Sequence, residues 1–147
     1  MQTAVARIPA YANAGPSGSV AVKVVTTIAL LAGAALAATS GAVHLHLWAQ
    51  GYRTIPTIGP LFLFQGIAGV VLAVVLAASR RLLAVLATAG FMLATIGGFL
   101  LSDYVGLFGF SDTLAAPWAG FALAVEIAGA VVLAAGGVLL LRGAYRR

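Results

Sequence analysis

The chain has 147 residues, 63% of them apolar and only 7% charged, with a mean hydropathy of +1.11; this is a membrane composition with room for one domain. The absence of cysteine excludes a disulfide scaffold, a thiolate metal site and a thiol nucleophile together. A net charge of +5 would suggest nucleic acid in a soluble protein, but here the basic residues stand singly or in pairs beside long apolar runs, so no nucleic-acid partner is expected and their task is orientation.

Residues 1–22, with "NAGPSGS" among them, are polar, rich in small side chains and aperiodic, and are expected to form a disordered cytoplasmic tail. The remainder, 23–147, contains four apolar stretches at 24–48, 60–78, 82–102 and 118–141, each near the roughly 20 residues a helix needs to cross a bilayer. Backbone groups in lipid must be satisfied within the segment, and the alternation of barrel strands is missing, so the spans are helices. The expected fold class is an all-α membrane protein, a four-transmembrane-helix bundle. A signal-peptide reading, with 24–36 as its apolar core and cleavage at Ala35-Leu36-Ala37, competes poorly because the apolar run continues to Trp48. Pro60 and Pro117 are read as occupying the first turns of the second and fourth helices.

Arg7 and Lys23 precede the first helix, Arg80 and Arg81 fill the second turn, and Arg142, Arg146 and Arg147 follow the last helix. Only Arg53 lies in the other two loops, so the positive-inside rule predicts both termini in the cytoplasm of a bacterial plasma membrane. Trp48, Tyr52, Tyr104, Phe108 and Trp118 then gather at the outer boundary and match an interfacial aromatic belt.

Lipid is as apolar as leucine, so membrane helices associate through small residues and polar contacts. Such stripes run through Gly33, Ala37, Gly41 and His44, through Gln65, Gly69, Ala73 and Ala77, through Thr88, Met92 and Thr95, and through Ala119, Ala122, Glu126, Gly129 and Ala130. At about 1.5 Å of rise per residue, His44, Gln65, Thr95 and Glu126 share one level in the outer half of the bundle. This convergence predicts either a polar clasp between helices or a ligand-binding or proton site. Glu126 demands a partner, because an ionised carboxylate near mid-bilayer costs a few kcal/mol or more unless paired. His44 is the favoured partner, then Arg53 folding down from the first outer loop, then Gln65. Arg53 is also expected to bridge the outer loops through Asp103 or Asp112, with the apolar "GLFGF" loop folded over the bundle.

His44 and His46 are separated by about 200° around a helix, so they serve one metal ion only if the first helix unwinds there. The one axial pair available for a haem, His44 with Met92, differs in depth.

The segments "YRTIPTIGPLFLFQ" and "LLSDYVGLFGF", with the late Glu126, resemble an uncharacterised family of small four-helix integral membrane proteins common in actinobacteria. The pattern is a histidine, a Tyr-Arg-x-Ile-Pro-Thr-Ile-Gly turn, a Gly-Leu-Phe-Gly-Phe loop and a glutamate in the last helix. Here these are His44, Tyr52, Arg53, Ile55, Pro56, Thr57, Ile58, Gly59, residues 106–110 and Glu126. Where such relatives often carry Ser-Arg, this chain has Ser102-Asp103. The resemblance implies the four-helix fold and no particular activity.

No nucleophile and base pair, paired carboxylates, phosphate loop or standard metal motif is visible. The expected function is therefore that of a non-enzymatic membrane protein, an accessory subunit or small-ligand-binding module using the polar cluster and the aromatic outer loops. The alternative is a redox or ion-handling component that binds a metal, quinol or proton at His44 and Glu126. The sequence names no cofactor. Expected partners are the lipid bilayer and another membrane protein or a second copy of the chain.

Overall fold

The computed structural model describes residues 16–145, so the predicted disordered tail over 1–15 lies outside the described residues. Within them, four helices are long and apolar enough to cross a membrane: α1 (Pro16–Gln50), α2 (Ile58–Ser79), α3 (Leu82–Tyr104) and α4 (Ala119–Tyr145). No strand occurs among the described residues; Leu107 and Phe110 form an isolated bridge.

Three helix starts differ from the expectation. Helix α1 begins at Pro16, eight residues before the predicted span, and proline at a first helical position loses no hydrogen bond because that N–H has no partner inside the helix. The segment 16–22 therefore extends α1 rather than belonging to a tail. Helix α2 starts two residues early, behind a left-handed Thr57 (φ 65°), and Pro60, its third residue, lies in the first turn as expected. Pro117 stands outside α4, because Trp118 intervenes with φ 67° and its carbonyl accepts the first helical bond, from the Ala122 N–H.

The helices form an up-and-down bundle in which α1 packs against α2 and α4, α3 packs against α4, and α2 meets α3 more sparingly. Helices α2 and α4 face one another across the diagonal without close backbone approach. Large side chains on the outer faces, such as Val74, Leu83 and Val131, are exposed, as lipid-facing positions should be. The centre is sealed by Leu30, Leu76, Met92 and Leu133.

Small residues set the closest approach. A Cβ on Gly41 would stand 2.8 Å from the Gly66 carbonyl oxygen and 3.0 Å from the Val70 nitrogen, both backbone atoms of α2. Hydrogen is the only substituent that fits, and α1 and α2 touch main chain to main chain. Gly59 repeats the device at the end of the first long loop, where a Cβ would meet the Arg53 carbonyl at 2.7 Å. The turn Tyr52–Thr54 is thereby pressed onto the start of α2.

Candidate functional site

The two long loops lie at one end of the bundle, opposite the start of α1 and the end of α4, and just inside this loop end is a cavity of about 330 Å³. Its walls come from Leu47 on α1, Leu61 and Phe62 on α2, Phe91, Gly98 and Phe99 on α3, and Ala122 and Leu123 on α4. Leu107 and Phe110 contribute from the second loop. His44, Gln65, Thr95 and Glu126 all line this same space, with Ser102 and Asp112 nearer the loops. Phe64 also lines it and is 69% exposed, so the cavity reaches the molecular surface along the loosely packed seam between α2 and α3. An apolar space of this size with a few convergent polar groups has the make-up of a small-molecule site.

The polar floor is organised by α1 and α4. Ser40 and Glu126 are both buried, and the Ser40 hydroxyl donates to Glu126 Oε1 at 3.0 Å. His44 lies one turn after Ser40, so both face α4. The His44 Nδ1 is 2.9 Å from the Ser40 carbonyl oxygen. A carbonyl can only accept, so Nδ1 carries the hydrogen and Nε2 is left to face Glu126. That nitrogen is 4.0 Å from Glu126 Oε1, within reach of charge pairing and beyond a direct hydrogen bond. Thr95, on α3, returns its hydroxyl to the Met92 and Phe91 carbonyls, which leaves its oxygen lone pairs as acceptors. Gln65, half-buried on α2, adds an amide to the lining.

The roof is aromatic and links the two long loops. Tyr52 lies over Phe62, with ring centroids 4.6 Å apart, and meets Phe110 edge-on at 5.7 Å. Phe62 in turn contacts the His44 ring at 5.2 Å. The Tyr52 hydroxyl donates to Asp112 Oδ2 at 3.4 Å, while the Thr113 N–H donates to Asp112 Oδ1 at 3.0 Å. Ser102 staples the second loop, accepting from the Asp112 N–H at 3.0 Å and donating to the Phe110 carbonyl at 3.4 Å. Between Leu107 and Phe110 the chain reverses through Phe108 and Gly109, both with positive φ, in the manner of a tight hairpin turn. Burial pushes the Asp112 carboxyl above its ordinary range, against the opposing pull of its two hydrogen bonds. The Tyr52 hydroxyl is raised too, by burial first and by the neighbouring Asp112 charge second.

Of the residues singled out in the sequence, His44, Gln65, Thr95 and Glu126 are brought together and Arg53 is not. Arg53 is exposed, stands outside the cavity lining and makes no ion pair among the described residues; Tyr52 takes the bridging role expected of it. The backbone explains the exchange, because the turn that packs Tyr52 and Arg53 carbonyls onto Gly59 sends adjacent side chains in different directions. The second loop folds back only in part: Phe110 is half-buried, while Phe108 at the hairpin tip is 68% exposed. Helix α1 continues unbroken through His44 and His46, so the two rings diverge; His46 is exposed and meets Trp118 edge-on at 5.4 Å. Met92 is a packing residue, since its side chain fills the space over Gly129.

Ser40 was not singled out in the sequence, although it sits four residues before His44 and beside Gly41 on the small-residue stripe. Ser102 enters the sequence pattern only beside Asp103 and Phe62 carries no signal of its own, because their roles depend on the loops above them, for which no periodic pattern exists.

No protein-family model matches the chain, and no solved structure matches it. Among curated proteins it is similar to NADH-quinone oxidoreductase subunit N 1 of Streptomyces griseus, with 32% identity over 143 residues, covering 89% of this chain and 29% of that subunit. The chain thus spans less than a third of the length of that relative. Four helices of membrane-crossing length, lipid-like outer faces and this similarity together make the chain an all-α, multi-pass membrane protein.

Proposed function

We propose that this protein is a non-enzymatic integral membrane protein that binds a small amphipathic molecule in the cavity at its loop end. The carrying observation is the cavity itself: apolar walls, a floor that presents His44, Gln65, Thr95 and Glu126, and an opening beside Phe64. A lipid-soluble ligand would enter sideways from the bilayer between α2 and α3, bury its apolar part against Phe91, Phe99 and Leu123, and direct polar atoms at the floor. The Tyr52–Asp112 contact and the Phe110 ring would keep water out above it. An accessory subunit that holds such a molecule for a membrane partner belongs to the same reading, as does membership of the family marked by the His44, Tyr-Arg-x-Ile-Pro-Thr-Ile-Gly and Glu126 pattern.

Mass spectrometry of small molecules extracted from protein purified in mild detergent tests this reading. Gly98 lines the cavity, and a side chain begun there meets nothing within 4 Å, so Gly98→Leu fills the space without displacing a helix. A defined species recovered with the native chain and missing from Gly98→Leu is the expected result. Equal recovery of the same bulk lipids from both proteins refutes it.

A second reading draws on the His44 and Glu126 pair, whose 4.0 Å separation on the cavity floor suits a proton passed to or from a bound quinol. The similarity to a subunit of an NADH-quinone oxidoreductase favours the same chemistry. Quinone in the extract, with loss of quinone binding in Glu126→Gln, is its signature.

The seven-to-one division of cations supports cytoplasmic termini in a bacterial plasma membrane. Cysteine introduced at Ile55 should be labelled by an impermeant reagent from outside, and cysteine at Arg147 should not. The reverse pattern inverts the topology.

A further inference from the structure

A second concavity, of about 770 Å³, lies at the opposite end of the bundle and is lined by Lys23 from α1, Arg80 from the α2–α3 turn and Arg142 from α4. Leu30, Leu139 and Leu140 form apolar lining between them. We infer that this groove binds the headgroup of an anionic phospholipid, the phosphate held by the three basic side chains and the start of an acyl chain laid along Leu139 and Leu140.

Three observations carry the assignment. The first is charge. The chain has only three acidic residues, Asp103, Asp112 and Glu126, and none lines this groove. No acidic side chain lines the groove beside the three exposed cations, which leaves their charge available to an anion from outside. The second is position. Lys23, seven residues into α1, Arg80, at the C-terminal cap of α2, and Arg142, in the last turn of α4, all line this one groove. Basic pockets between helices at the membrane surface fit lipid phosphates, with their aliphatic stems along apolar surface and their charged heads at the interface.

The third is backbone. Arg80 closes α2 in the left-handed conformation, φ 48° and ψ 32°, with its N–H on the Leu76 carbonyl. Glycine is the favoured residue at such a helix end, since any Cβ is strained there. In a chain with 18 glycines, an arginine at this position loses backbone stability, which points to a use for its side chain.

The left-handed site also supplies the test. The purified protein in neutral detergent is titrated with phosphatidylglycerol, with phosphatidylcholine and with inorganic phosphate. Native mass spectrometry reads bound lipid, and thermal unfolding reads stabilisation. Phosphatidylglycerol should bind and raise the unfolding temperature, and the other two should do neither. Lys23→Gln and Arg142→Gln should each weaken phosphatidylglycerol binding by about five-fold. Arg80→Gly should weaken it equally while leaving the lipid-free unfolding temperature unchanged or higher, which separates lost binding from lost folding. Arg53→Gln, at the other end, should bind as the native chain does. Equal stabilisation by phosphatidylcholine or by inorganic phosphate overturns the inference, as does undiminished phosphatidylglycerol binding when Lys23, Arg80 and Arg142 are replaced together.

Discussion

Replacing Gly41 by alanine should force α1 and α2 apart, and the cost can be worked from the backbone. The added Cβ would be 2.8 Å from the Gly66 carbonyl oxygen, about 0.6 Å short of ordinary van der Waals contact. Neither that oxygen nor the Val70 nitrogen at 3.0 Å can rotate away, so the relief has to come from a shift of a whole helix. Overpacking of this kind costs about 1–3 kcal/mol. Alanine also raises helix propensity by about 1 kcal/mol over glycine, which obscures the cost if the variant is judged against the native chain alone. Gly90→Ala removes that ambiguity. It lies inside α3, where a Cβ meets nothing within 4 Å, so it receives the propensity gain without the clash. The two variants should differ in stability by about 1–3 kcal/mol, or several degrees of unfolding temperature at roughly 2–4 °C per kcal/mol for a chain of this size. Thermal unfolding in detergent measures the gap. Indistinguishable unfolding temperatures would refute the main-chain contact between α1 and α2.

Ser40→Ala removes the donor to Glu126 Oε1 and should destabilise the bundle by about 1–3 kcal/mol, the penalty for a buried acceptor left without its partner. The same variant in a Glu126→Leu background should cost much less, and a thermal double-mutant cycle reads the coupling. The raised Asp112 carboxyl means that the folded loop holds its proton more tightly than the unfolded chain. The corresponding stability is full below the ordinary carboxylate pKa and is lost as pH rises through the folded value. Unfolding temperature should therefore fall across that acidic window, and Asp112→Asn should flatten the fall; an unchanged slope in Asp112→Asn contradicts the assignment. Tyr52→Phe removes the hydrogen bond between the loops but keeps the ring on Phe62, so proteolysis should become faster within 106–116 while the helices keep their stability.

The helices were legible because lipid imposes one rule on every residue of a span: no backbone group can be left without a partner. The inner faces were legible for a related reason. Close packing rather than hydrophobicity holds membrane helices together, so Gly41, Gly69, Ala73 and Gly129 mark the contacts directly. His44 and Glu126 were found because strongly polar side chains are rare on such stripes, and Ser40 escaped because a serine among small residues looks like packing. The loops follow no periodicity. Whether Tyr52 or Arg53 faces Asp112 depends on the carbonyls stacked against Gly59 and on left-handed turns at Thr57 and Phe108, and those are set by tertiary contacts that no short pattern carries. The helix ends drifted for the same reason: Trp118, itself left-handed, separates Pro117 from the start of α4.

Photocrosslinking at the cavity mouth tests the central claim most directly. A benzophenone amino acid at Phe64, which lines the cavity and is 69% exposed, can be compared with one at Val74 on the same helix, 64% exposed and outside the lining. After irradiation in native membranes, Phe64 should give an adduct of one defined small molecule that is lost on adding Gly98→Leu, while Val74 should give only bulk lipid. Identical adducts at both positions, unaffected by Gly98→Leu, would contradict a ligand site at the loop end.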